Sequence, residues 1–294
     1  MAARDATGLV YGCLTHVPLW LEFPSFVTPI YLGQAQNPGQ FNLRELAPEW
    51  EPHHPVLGGT AGSFALKNYV LKHRPDATRI GVCQYRKFVS PRRISRLAAP
   101  RYRSMDLVSK HLLTPDVFAR ELHPGVREFL VCGPWSFGQH WKRSRRKTYV
   151  EEYVESHHIE DLLRFTAVAV ELGIIAKTDV WSFFEEDNII PGGVELGVYP
   201  APFWLHCIAG LESVARECVR TFPAARPGYQ ARSWAFCAER LGSFFLLRHF
   251  GALGDHRLRL RRLSRVLPPA WMKRNAGQLN LIVEDDVADY IPGK

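Results

Sequence analysis

The run Ile80-Gly81-Val82-Cys83 is short and apolar, and it stops at once in Gln84-Tyr85-Arg86-Lys87. A strand of this kind is buried along its length and releases polar side chains only at its end. It belongs in a sheet covered by helices, the setting in which α/β enzymes collect their chemistry. A second segment, Gln230 to Leu241, reads as a helix carrying one acid, Glu239, and two arginines, Arg232 and Arg240.

The rest of the chain fits the same class. Leu9 to Thr15 reads as a first buried strand, with Thr15 at its polar end. Further strands are expected at Val27 to Leu32, Arg79 to Tyr85, Glu128 to Cys132 and Val194 to Val198. Phe64, Leu66, Tyr69, Val70 and Leu71 have helical spacing within Ala61 to His73, and Pro75 ends that helix. Helices are also expected over Leu107 to Leu122, started by Thr114-Pro115-Asp116, and over Tyr149 to Leu172, Pro202 to Phe222 and Tyr229 to Phe250. Residues 33–60 and 90–104 read as loops, and no internal repeat is present. Strands alternating with helices predict an α/β fold with a mainly parallel central sheet flanked by helices.

Composition narrows the function. The 294 residues are 46% hydrophobic and 22% charged, enough for a real core and unlike a disordered chain. The net charge of +8 favours an anionic partner: nucleic acid, an anionic membrane surface or a nucleotide-sugar. The six cysteines form no CxxC pair and sit in apolar runs, so they read as reduced cytosolic thiols. No signal peptide and no apolar run long enough to span a bilayer is expected, which leaves only peripheral membrane contact.

Three segments could carry chemistry. The Gln84-Tyr85-Arg86-Lys87 tip is either a solvated strand end or a diphosphate clamp, since a guanidinium can hold two phosphate oxygens and Tyr85 can stack on a base or sugar. In His157-His158-Ile159-Glu160-Asp161, helical spacing could put His157 or His158 on one face with Asp161, but a metal site would need a third ligand and a plain polar face is the alternative. Glu239 is either a general base or an ion-pair partner of Arg240 or Arg232. The acidic runs Glu185-Glu186-Asp187 and Glu284-Asp285-Asp286 follow no convincing buried strand and read as solvated loop charges. The basic runs at 142–147 and 257–265 lack a nucleic-acid motif. They suit anionic lipid head groups or a lipid diphosphate better, the second being partly amphipathic through Leu258, Leu260 and Leu263.

Four motifs recur in a fixed order: Gln84-Tyr85-Arg86-Lys87-Phe88; His157-His158-Ile159-Glu160-Asp161-Leu162; the strand and aromatic helix from Val194 to Leu211; and Gln230-Ala231-Arg232 followed by Ala238-Glu239-Arg240-Leu241. With them the chain, from about Leu9 to about Phe250, resembles a bacterial family of capsular and exopolysaccharide glycosyltransferases that includes galactofuranosyltransferases. The resemblance implies a GT-A-like fold with a Rossmann-type nucleotide-sugar half. It implies that the Tyr85 tip occupies the place where metal-dependent members keep an acid-x-acid motif, so that Arg86 neutralises the leaving diphosphate in place of manganese. It also puts Glu239 near the catalytic base of inverting relatives. Two departures stand out: Gln84 replaces a usual histidine, and His54-Pro55-Val56-Leu57-Gly58-Gly59-Thr60 replaces a segment with Asn-Pro and a Cys-Glu pair.

The expectation is a glycosyltransferase domain over 1–254 with a basic C-terminal extension over 255–294. It would move a sugar, galactofuranose or another hexose, from a UDP-linked donor to a glycan or lipid-linked acceptor in cell-surface polysaccharide synthesis, with inversion. Glu239 and Asp161 are the candidate catalytic acids. Thr15, Gln84, Tyr85, Arg86, His157, His158, Glu160, Arg232 and Arg240 are the candidate donor-binding residues. No metal cofactor is expected, with a divalent cation as the alternative, and no nucleic-acid partner is expected; the site of action is the cytoplasm or the inner membrane face. The alternative is an inactive member of the fold that binds a glycan or a protein.

Overall fold

The computed structural model describes residues 8–19, 21–36, 39–94, 99–102, 105–137, 147–222, 226–252 and 273–283. The strands are β1 (Leu9–Thr15), β2 (Val27–Tyr31), β3 (Arg79–Gln84), β4 (Lys87–Ser90), β5 (Ala99–Tyr102), β6 (Met105–Ser109), β7 (Val131–Cys132), β8 (Trp135–Ser136), β9 (Asn188–Ile189), β10 (Gly197–Pro200) and β11 (Ala276–Val283). The helices are α1 (Leu43–Leu46), α2 (His54–Leu57), α3 (Gly59–His73), α4 (Pro115–Leu122), α5 (Tyr149–Ser156), α6 (Ile159–Glu171), α7 (Val180–Phe184), α8 (Ala201–Thr221) and α9 (Ser233–Ala252).

Nine strands form one sheet along the path β2-β1-β3-β4-β11-β6-β5, with β10 joining at β3 and β7 at β11. This is the mainly parallel, helix-flanked α/β sheet expected from the sequence. β2, β1 and β3 run parallel, as do β6, β11 and β7, while β4, β5 and β10 join antiparallel. All seven residues of β1 are buried, as a strand covered on both faces requires. The register pairs Leu14 with Gln84 and Thr15 with Tyr31, so the polar ends of three strands come out along one edge. Helix α3 crosses back between β2 and β3 and buries Phe64, Leu66 and Val70.

The tip after β3 is a hairpin turn rather than a loop into a helix. Gln84 pairs with Lys87, which leaves Tyr85 and Arg86 as the two turn residues. The turn is fixed from both sides: the Tyr85 N–H donates to the Leu14 carbonyl at 3.2 Å, and the Ile282 N–H donates to the Arg86 carbonyl at 2.8 Å.

Several expectations need correction. The stretch 255–294 is not simply an extension, because β11 lies inside the sheet between β4 and β6 and Asn280 donates to the Ser90 hydroxyl of β4 at 2.8 Å. The single helix expected over Tyr149 to Leu172 is two. His157 (φ −146°, ψ −179°) and His158 leave the helical region, after a Thr148–Glu151 capping box has started α5. Residues 33–60 hold α1, α2 and 3-10 turns, and β5 falls inside 90–104. The strand expected at Val194 starts later, because a 3-10 turn over Gly193–Glu195 precedes β10. Glu186 is buried rather than solvated, accepting the Asn188 backbone and amide N–H at 3.2 Å. The Arg257 to Arg265 segment and Glu284-Asp285-Asp286 lie outside the described residues, as does all but Lys147 of the basic run 142–147.

All six cysteines are buried. Among the described residues, no helix is long and apolar enough to cross a membrane.

Candidate active site

The strand edge carrying Thr15 and Gln84 meets the start of α9, and cationic side chains gather there. Arg86 is exposed at the hairpin turn, and its guanidinium carbon lies 5.5 Å from the Tyr85 ring centroid. The His16 ring meets the Tyr85 ring edge-on at 5.0 Å. Arg232, in the 3-10 turn Gly228–Arg232 that leads into α9, lies over the Tyr229 ring at 4.5 Å and reaches toward Gly58 of the α2–α3 junction. Lys87 is half-buried at the start of β4.

These groups feel one another. Burial lowers the Lys87 pKa, Glu239 opposes that shift, and Arg86 and Arg232 add to it. Burial also lowers the His16 pKa, again helped by Arg86 and Arg232. Burial lowers that of His54 in α2, with His16 adding and Glu51 opposing. Desolvated cations that repel one another are stabilised by an anion placed between them. Among the described residues, Arg86, Lys87 and Arg232 form no ion pair of their own.

Glu239 faces this cluster from the second turn of α9. Its Oε1 accepts the Gly192 N–H at 2.8 Å, its one hydrogen bond among the described residues. The Pro191-Gly192-Gly193 loop makes that contact possible. Gly193 has φ +50°, and a Cβ there would stand 2.8 Å from the Glu239 carbonyl oxygen, so only glycine lets the loop lie flush on α9. The carboxylate is thus aimed, half-buried and only partly satisfied, as a proton acceptor must be.

Helix α3 begins beside Arg232 at Gly58, whose φ is +51°, with no side chain capping its N-terminus. Its first backbone N–H groups and dipole favour an anion there. At Gly59 a Cβ would stand 3.1 Å from Gln84 Nε2 and 3.9 Å from Glu195 Oε2. Glu195 is buried, and its Oε1 accepts the Thr60 hydroxyl at 2.6 Å. Burial raises its pKa to about 8, with the Thr60 hydrogen bond opposing and the Glu239 charge adding to the shift.

The sequence candidates therefore divide in two. Gln84, Tyr85, Arg86, Arg232 and Glu239 come together. Thr15 sits at the same edge but is fully buried, and its hydroxyl is spent on the loop, donating to the Val17 carbonyl at 2.5 Å. His157 borders both groups, because Arg232 lies 5.7 Å over the same Phe236 ring on which His157 stacks. Asp161, Glu160, His158 and Arg240 lie at the α5–α6 corner. There the Asp161 carboxylate takes both an Nε and an NH2 hydrogen bond from Arg226, at 2.8 and 2.9 Å. Glu160 is exposed, 3.9 Å from the same arginine. His157 stacks on Phe236 at 4.0 Å and bonds Gln230 at 3.1 Å, while His158 is exposed. Arg240 is buried, paired with Glu152, laid over the Tyr153 ring and bonded to the Phe236 carbonyl at 3.0 Å.

Sequence reasoning missed His16, His54 and Glu195 as site residues, and it had Lys87 only as part of the cationic tip. Glu195 had one signal, a lone acid inside the apolar run Val194 to Val198. Among the described residues, no three His, Cys, Asp or Glu side chains gather as a metal site would need.

No protein-family model matches the chain, and no curated protein matches it. A solved structure that does match is the WbbM bifunctional glycosyltransferase in its apo form, with a TM-score of 0.65 at 12% sequence identity. The match covers 94% of this chain and 45% of that one, so the chain spans about half the length of its neighbour. At this identity the likeness is one of fold: the chain folds as part of a glycosyltransferase does.

Proposed function

We propose that this chain transfers a sugar from a nucleotide-activated donor to a hydroxyl on a glycan or lipid-linked acceptor. The observation that carries the reading is the set of cations, Arg86, Lys87 and Arg232, without an ion pair among the described residues and gathered opposite a carboxylate that accepts one backbone N–H there. The glycosyltransferase fold of the structural neighbour supports it.

The chemistry follows from the charges. The acceptor oxygen attacks the anomeric carbon, and the bond to the nucleoside diphosphate breaks with its electron pair going to the phosphate oxygen. Arg86, with Lys87 and Arg232, stabilises the growing negative charge, and the N-terminus of α3 adds its dipole. Glu239 takes the acceptor proton from the face opposite the leaving group, and the configuration inverts. Tyr85 offers a ring for the base or sugar to stack on.

In this reading the donor is a UDP-hexose, such as UDP-galactofuranose, and the product belongs to a cell-surface polysaccharide. Fixed cations do the work of a divalent metal, so EDTA is expected to leave turnover intact; turnover lost to EDTA and restored by manganese would reject that part. The enzyme works at the cytoplasmic membrane face with no nucleic-acid partner.

Thermal stabilisation by a panel of nucleotides tests the whole reading. UDP is expected to raise the melting temperature more than oligonucleotides or free sugars do. Stabilisation by glycans alone would point instead to an inactive binding module of the same fold.

A further inference from the structure

Glu195 has no place in the transfer chemistry just described, yet it is a carboxyl buried beside it. It is 8% exposed, and within the described residues Thr60 is the only hydrogen-bonding partner of its carboxyl. A structural role would be filled at lower cost by a glutamine or threonine, because burying an ionisable group carries a desolvation penalty that one hydroxyl does not offset. The position also faces something. Glu195 Oε2 and Gln84 Nε2 both lie within 4 Å of the point where Gly59 lacks a side chain, at the start of α3. That point lies between the strand edge bearing the cations and the α9 turn bearing Glu239, whose charge is felt at Glu195.

We infer that Glu195, oriented by Thr60 and flanked by Gln84, is the subsite that reads the hydroxyl groups of the donor sugar and so sets which sugar is transferred. This rests on the glycosyltransferase reading above. A hydroxyl both donates and accepts, and a carboxyl beside a carboxamide offers both functions in a small space. A neutral carboxyl also avoids repelling the diphosphate nearby, and the environment that raises the Glu195 pKa favours that neutral form. Sites that hydrogen-bond a substrate hydroxyl discriminate strongly, since an analogue lacking it leaves buried polar groups unpaired.

Calorimetry with UDP, GDP and a set of their hexose conjugates tests this on three proteins: wild type, Glu195→Leu and Glu195→Gln. The wild type is expected to bind one sugar nucleotide more tightly than its parent nucleotide. Glu195→Leu is expected to lose that preference by about tenfold, the worth of one buried hydrogen bond, with the parent nucleotide's affinity unchanged. Glu195→Gln, which can still accept from Thr60 and donate onward, is expected to keep most of it. Should the leucine variant fail to fold, Thr60→Val replaces it and is expected to lower the same preference. If nucleotide binds but the preference is absent in the wild type, survives Glu195→Leu, or falls only in step with the parent nucleotide, the subsite is wrong and the transferase reading stands. A wild-type protein that binds none of these nucleotides overturns both.

Discussion

Two flanks of α9 carry acids and arginines in similar number and use them in opposite ways. On the α5–α6 side the buried charges are matched: Asp161 with Arg226, Arg240 with Glu152. On the hairpin side Arg86, Lys87 and Arg232 have no ion pair among the described residues, and Glu239 has one N–H. Glu239 and Arg240 are adjacent in sequence, yet one faces each flank. Matched charges hold elements together, because removing either partner strands the other. Unmatched charges gathered together cost stability and mark a candidate ligand site. In the proposed function, pairing therefore separates the acid that works from the acid that holds.

The sharpest way to break this contrast is to neutralise each acid in turn. Glu239→Gln keeps the shape and can still accept the Gly192 N–H, but it cannot take a proton. Transfer is expected to fall by about 10²–10⁴, the usual worth of general base catalysis, with an unchanged melting temperature and unchanged UDP affinity. Near wild-type transfer by this variant would move the base elsewhere.

Asp161→Asn should do the reverse. It leaves the Arg226 guanidinium, 23% exposed, without its bidentate partner. A loss of about 2–3 kcal/mol in urea unfolding is expected, below the full cost of breaking a buried pair because Arg226 reaches solvent. Transfer per folded molecule should be unchanged. If instead activity collapses in a protein of normal stability, the α5–α6 corner takes part in catalysis and the contrast fails.

Arg86→Ala sharpens the cationic side. Its loss should weaken UDP binding by about 1.5–3 kcal/mol, the range for a hydrogen bond to a charged group, measured by calorimetry. Its backbone is already held by Ile282, so the turn should survive the substitution. Unchanged affinity in the folded variant would assign the diphosphate to Lys87 and Arg232 alone.

What could be read from the sequence follows the range of the interactions. β1, β3, α8 and α9 announce themselves through local apolar runs and helical spacing, and so did the cationic tip. β11 did not, because its partner β4 lies some 190 residues earlier, as in the Asn280–Ser90 hydrogen bond, and nothing local marks that pairing. The helix break at His157 was hidden because its cause is tertiary: the imidazole is drawn onto Phe236 and Gln230 of a distant segment. Asp161 looked like Glu239 for the same reason. Its partner Arg226 is 65 residues away, so the spacing His157 to Asp161 suggested a shared face that the break removes. Glu195 needed Thr60, 135 residues before it, to become a buried carboxyl with one partner.

The smallest effect is expected at Glu160 and His158, and it tests whether sharing a motif is enough to matter. Both belong to the His157-to-Leu162 segment, and both were candidates for donor binding. Yet the Glu160 side chain is 58% exposed and 3.9 Å from an Arg226 that Asp161 already holds by two hydrogen bonds. A charge so placed is screened by water and salt, and its pair is worth less than about 0.5 kcal/mol. His158 is exposed and supplies no side-chain cap to α6. Glu160→Ala and His158→Ala should therefore leave melting temperature, UDP affinity and transfer close to wild type. A marked loss of transfer in either, with the fold intact, would mean that an acceptor reaches across α9 to this corner, and that the flank of matched charges is half of the site.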